Sequence, residues 1–149
     1  MNFEAGHSYY MIPSLTEGES SPSFIATSFK QLKRDWYTKD SDRWRMGLSS
    51  LTNWFWGDVL AGDGNKGSNE LDQPELESMK NWSFSADNAT PNHFWDNYKE
   101  VIKSANILLM ATDGTVGHEY ERAYAWFTRA YFGFEALKIF GAAVPYPTE

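Results

Sequence analysis

Trp54 and Trp56 stand two residues apart, immediately before a stretch at 61–69 that reads Ala-Gly-Asp-Gly-Asn-Lys-Gly-Ser-Asn. On a helix, residues two apart point about 200° from each other, so these indoles cannot share one buried face. A flat indole covers the C–H face of a sugar, while amides and carboxylates at its edge take the hydroxyl hydrogen bonds. Asp63, Asn65, Lys66, Asn69 and Asp72 supply such polar groups close by in sequence. Trp82, between Asn81 and Ser83 in a polar stretch, is the most isolated aromatic of the chain and a second candidate stacking platform. The competing reading of both features is structural. In it the tryptophan pair only packs, the loop is merely solvated, and Trp82 folds back as a lid on the helices.

Other chemistries find little support in the residues. Asp63-Gly-Asn65-Lys-Gly67 echoes the opening of a calcium loop, but its glycine falls one place early and Pro74 stands where the closing Glu is required. His7, His93 and His118 have no ligand-like spacing. Acid pairs such as Asp58 and Asp63 could be imagined as glycosidase carboxylates. With 20 Asp and Glu in 149 residues such pairs are unavoidable, and none is marked as tuned. The chain has no cysteine, which removes disulfides, thiolate metal sites and a cysteine nucleophile. No Ser-His-Asp order, phosphate loop or dinucleotide fingerprint is present. The expectation is a non-enzyme without catalytic residues, metal or cofactor.

Charge and composition narrow the partners. Lys and Arg number 13 against 20 Asp and Glu, a net charge of −7 with no basic run, so nucleic acid is not an expected ligand. No apolar stretch approaches a membrane span, and residues 1–18 lack the basic start and apolar run of a signal peptide. Hydrophobic residues make up 42% of the chain, enough for a core. The 7 Trp, 8 Tyr and 10 Phe exceed what a small core needs, and surplus rings often mark a binding surface.

The elements that must position these residues are helical. Residues 1–21 read as an irregular lead-in, and 22–149 as helical around a loop-rich segment at 61–90. Pro22 opens a first helix to about Trp36, with Phe24, Ile25, Phe29, Leu32 and Trp36 on one face. A second is expected from Ser41 to before Gly62, burying Trp44, Leu48, Leu51, Phe55 and Val59. Asp72 and Pro74 cap a short helix to Lys80. Thr90 caps, and Pro91 opens, a third long helix that Asp113-Gly114 ends. The fourth runs from about Gly117 to Phe140, with a stripe of Tyr120, Tyr124, Phe127, Tyr131 and Phe134 beside Ala123, Ala130 and Gly133, small enough for a neighbouring helix to approach closely. Mid-helix Asn106 is expected to bond a neighbour and fix register. Arg129 is expected to pin the chain beyond Gly141 or to pair with Glu121 or Glu135. The fold class is all-α: helical hairpins with long loops. Ala123-x3-Phe127 followed by Ala130 resembles the second helix of a tetratricopeptide repeat, and Trp95-x2-Tyr98 partly matches the first, with an ordinary helical hairpin as the equal alternative.

Residues 121–145 are the most specific part of the chain. Glu121-Arg-Ala-Tyr-Ala-Trp-Phe-Thr-Arg129-Ala-Tyr-Phe-Gly-Phe-Glu-Ala-Leu-Lys-Ile-Phe-Gly141, followed by Val144-Pro145, resembles the signature of the SusD/RagB family. Three further segments agree in order: Phe55 to Asp58 with Asp63, Phe94-Trp95-x2-Tyr98-x3-Ile102, and Ala105-Asn106-x-Leu108-Leu109. The resemblance implies a tetratricopeptide-like, SusD-like fold of which residues 1–149 form the N-terminal portion. It implies a surface-exposed lipoprotein of the Bacteroidetes outer membrane, although the lipid-bearing Cys and signal peptide of family members are not in this sequence. It further implies polysaccharide or oligosaccharide binding, for uptake through a partner SusC-like TonB-dependent transporter. The alternative is a helical-repeat module that binds a protein through its aromatic faces; a glycoside-cleaving enzyme is the weakest of the three. Glycan binding predicts exposed rings around 62–82, and protein binding predicts them along 124–131.

Overall fold

A computed structural model describes residues 21–41, 54–65, 67, 69 and 71–141. Among the described residues there are helices and connecting turns and no strand. The elements are α1 (Pro22–Ser41), α2 (Trp54–Val59, a wide π-helical segment), α3 (Pro74–Lys80), α4 (Ala89–Ala111) and α5 (Glu119–Phe140). The expected class is therefore observed, with no helix among the described residues long and apolar enough to cross a membrane.

Helix α4 lies at the centre, packed against both α1 and α5. Its own sequence supplies the contact: Phe94, Tyr98, Val101, Ile102, Ala105, Leu108 and Leu109 form one apolar stripe about 120° wide, which the two neighbours share. At one end Phe94, Tyr98, Val101 and Ile102 meet Phe132 and Ala136 of α5, with Trp36, Trp95 and Phe140 packed against them. At the other, Ala105, Leu108 and Ala111 meet Ile25 and Leu32 of α1 and Ala125 of α5. This pairing runs α4 antiparallel to both neighbours. Trp36 seals the seam between α1 and α5: its ring lies 4.9 Å from Tyr131 and 5.7 Å from Phe127, stacked on both, and meets Phe132 edge-on at 4.6 Å.

A polar link crosses this core. Asp35, only 7% exposed, accepts from Ser104 Oγ at 2.6 Å and from Gln31 Nε2 at 2.7 and 2.8 Å. A buried carboxylate is tolerated when its lone pairs are met in this way, and the bond fixes the register of α1 on α4.

Several boundaries differ from expectation, each for a local reason. Helix α1 continues past Trp36, and Ser41 closes it instead of opening the next helix. Of that expected next helix, Trp44, Leu48 and Leu51 lie outside the described residues, while Phe55 and Val59 are buried as expected. Helix α3 is entered through Gln73 in the left-handed region (φ 52°) without a side-chain cap, so Asp72 does not cap it. Helix α4 starts earlier: Asn88, not Thr90, is its cap, Oδ1 accepting from the Thr90 N–H at 2.9 Å. Helix α5 begins at Glu119, whose carboxyl accepts the Gly117 N–H. Its own backbone N–H and that of Gly117 hold the Glu119 carboxyl below its ordinary value, with a smaller contribution from His118. Gly141, at φ 72°, ends α5 where a side chain would be strained.

Candidate functional site

The loop-rich segment rests on a small core of its own. Phe55 and Val59 of α2 bury against Leu76 and Met79 of α3, with Trp56 and Leu60 packed at the edge. Phe55 and Val59 stand four residues apart and both reach that core, while Trp54 is left at its rim, 45% exposed. Trp56 turns inward instead. Its ring meets Phe55 edge-on at 6.0 Å, and its buried Nε1–H finds no acceptor among the described residues. The tryptophan pair is thus divided, one ring outward and one structural, as the helical angle between them required.

After α2 the chain turns back sharply. The Asp58 carbonyl accepts both the Asp63 and the Gly64 N–H at 2.9 Å. A Cβ at Gly64 would lie 3.4 Å from the Asp58 Cβ, an ordinary van der Waals contact, so the turn packs closely there without requiring a glycine. Asp63, Asn65, Asn69 and Asp72 are all exposed. Lys66 lies outside the described residues. Asn69 is a turn-former: its Oδ1 accepts the N–H groups of Leu71 and Asp72, both at 3.0 Å, so its carbonyl oxygen is already engaged.

Trp82 is the feature that sequence reasoning located without seeing its cause. It sits at φ 55°, the left-handed residue that ends α3. The Trp82 N–H bonds the Met79 carbonyl at 3.0 Å and the Ser83 N–H bonds the Ser78 carbonyl at 2.8 Å, a Schellman closure that glycine normally provides. An indole there is uncommon and strained. The ring is 69% exposed and does not fold back as a lid. Its ring neighbour is Phe84, 39% exposed, at 6.4 Å and a 42° tilt.

The loop carrying these rings is tied to α3 at both ends. Ser83 Oγ joins its N–H on the Ser78 carbonyl, and Asn88 Nδ2 donates to the Glu75 carbonyl at 3.0 Å and to Ser78 Oγ at 3.1 Å. Asn88 thereby caps α4 and staples the loop at once. Phe84 and Asn88 were not singled out from the sequence. An aromatic two places after Trp82, and an Asn three places before Pro91, were the available signals.

The surroundings are acidic. Among the described residues of 54–88, Asp58, Asp63, Asp72, Glu75, Glu77 and Asp87 stand against Lys80, itself 3.6 Å from Glu77. The site residues are not brought into one cluster. Trp54 belongs to the α2 rim, Trp82 to the end of α3, and no ring contact joins them among the described residues. Among those residues, too, no group of three His, Asp or Glu could hold a metal ion.

The second exposed aromatic surface lies on α5. Tyr124 and Tyr131 are half-buried against Phe29 and Trp36 of α1, whereas Tyr120, Phe127 and Phe134 are 69%, 60% and 58% exposed. Gly133 is buried as expected of a close-approach residue, but Ala123 and Ala130 are exposed, with no helix packed on them among the described residues. Arg129 lies over the Trp126 ring at 4.7 Å, and Glu135 pairs with Lys138 at 2.6 Å. The Asn106 Oδ1, expected to bond a neighbour, is buried without a donor among the described residues. Compared with protein-family models, curated proteins and solved structures, the chain gives no match.

Proposed function

We propose that this protein binds glycans at the cell surface, in the manner its SusD/RagB-like signature suggests, and passes them to a TonB-dependent transporter in the outer membrane. The single observation that carries the reading is Trp82. A strained backbone persists only when its surroundings over-determine it, and strain of this kind clusters at ligand sites. Here it presents an open indole beside a second ring, on a loop pinned at both ends. A ring held in place in this way loses little freedom when it stacks on a sugar. The acidic surroundings favour a neutral glycan over a uronic or sulfated one, since like charges would face each other. In the same reading α4 and α5 form a tetratricopeptide-like pair that supports the loops.

Titration calorimetry with neutral and acidic polysaccharides tests this. Loss of a stacking ring costs on the order of 1–3 kcal/mol, so Trp82→Ala should weaken binding about fivefold or more while leaving the helical circular dichroism unchanged. Unchanged affinity in Trp82→Ala would place any glycan site elsewhere. Recovery of a TonB-dependent transporter on pull-down from outer membranes tests the partner, and recovery of cytoplasmic proteins alone would remove the surface assignment. A second reading, a protein-binding helical module, is favoured by one observation: the outer face of α5 is apolar.

A further inference from the structure

The exposed residues of α5 form an ordered seam. Tyr120, Phe127 and Phe134 recur every seven residues, and Ala123, Ala130 and Leu137 do the same three places later. Every one of these positions is exposed. This is the spacing of a two-stranded coiled coil, in which apolar residues at two positions of each heptad face a partner helix. The core of the monomer sits on the opposite side of α5, through Ala125, Thr128, Phe132 and Ala136.

The order of sizes along the seam identifies the partner. If a second α5 is laid antiparallel on the first, about a twofold axis between Thr128 and Arg129, the seam matches itself. Phe127 comes level with Ala130 of the other copy, Phe134 with Ala123, and Tyr120 with Leu137. Each Phe thus meets an Ala, so the helices can approach closely while the rings fill the space beside the small residues. The ends agree as well. Antiparallel packing puts the acidic first turn, Glu119 and Glu121, level with the basic last turn carrying Lys138, and opposes the two helix dipoles favourably. A parallel pair would set Phe against Phe and acid beside acid. We infer that α5 is the isologous interface of a homodimer of this chain, formed by antiparallel pairing of the seam Tyr120–Ala123–Phe127–Ala130–Phe134–Leu137.

The area sets the strength. Each exposed ring leaves on the order of 100 Å² open, so the two faces with Trp126 bury about 1,000 Å² in all, at the low end for a specific interface. The dimer is therefore concentration-dependent. Sedimentation velocity of the full chain from sub-micromolar to several hundred micromolar should show a monomer–dimer equilibrium. Ala130→Lys, at the centre of the seam and on an exposed position, should leave the chain monomeric with unchanged helix content. Ala123→Phe and Phe134→Ala should each raise the dissociation constant at least tenfold. The double exchange Ala123→Phe with Phe134→Ala should return it to within about threefold, because each ring then again faces an alanine. A monomer at every concentration, its seam left to some other helix, overturns the inference. So does a dimer indifferent to Ala130→Lys, or a double exchange without rescue.

Discussion

Replacing Trp82 by alanine and, separately, by glycine isolates the backbone strain that the fold imposes there. Both changes remove the indole and its contact with Phe84, so whatever that contact contributes cancels between them. What differs is the cost of φ 55°. A Cβ in the left-handed region costs roughly 1–2 kcal/mol, which glycine avoids. Against this, glycine gives the unfolded chain more freedom, worth about 0.4–1 kcal/mol. The balance leaves Trp82→Gly more stable than Trp82→Ala by about 0.5–1 kcal/mol, or about 2–3 °C in Tm for a chain of this size. Urea and thermal unfolding followed at 222 nm would measure it. If alanine proves equal to or better than glycine, residue 82 is not left-handed in solution and the Schellman closure of α3 is not as described. Glycan affinity should fall alike in both variants, since neither retains the ring.

Asn88→Ala removes an N-cap and two donated bonds to α3, so it should cost about 2–3 kcal/mol in chemical denaturation and free the 81–88 loop to exchange its amides faster. Asn106→Leu should stabilise by about 1–2 kcal/mol, because it removes a buried oxygen that has no donor among the described residues; a loss of Tm would mean that this amide is satisfied. Glu119 has its carboxyl held below the ordinary value of 4.5, so the charge stabilises the fold above that pH and the benefit fades as pH falls through the folded value. At protein concentrations where the chain is monomeric, wild type should therefore exceed Glu119→Gln at pH 7 and converge with it in acid. Equal stabilities at pH 7 would refute the backbone bonds assigned to it.

Much of the fold was legible because helices announce their ends. Pro22 and Pro74 open α1 and α3, Gly114 and Gly141 follow α4 and α5, and the apolar period between them gave the buried face of α4 nearly residue by residue. The cap of α4 was misplaced because Asn88 and Thr90 are both good caps, and the choice is made by the bonds of Asn88 to α3, a tertiary fact. The left-handed Trp82 could not be read at all, since the local preference for glycine there is overridden by the closure of α3. Periodicity also joined Tyr120, Tyr124, Phe127, Tyr131 and Phe134 into one stripe. It could not show that α1 would cover part of it and leave the rest open. The loop groups Asp63, Asn65 and Asp72 are exposed, and exposure alone does not gather them into a pocket.

The bond from Ser104 to Asp35 joins positions 69 residues apart, whereas α4 and α5 are linked through 112–118 alone. That difference orders the assembly of the molecule in time. Closing a short turn sacrifices little chain entropy, and closing the long span from α1 to α4 sacrifices more before any contact rewards it. The α4–α5 hairpin is thus the natural nucleus, and α1 docks last, bringing Trp36 onto rings already in place. Until it does, Tyr124 and Tyr131 lack the cover of Phe29 and Trp36. Refolding yield should then fall with protein concentration, and amide protons of α4 should outlast those of α1 in native-state exchange.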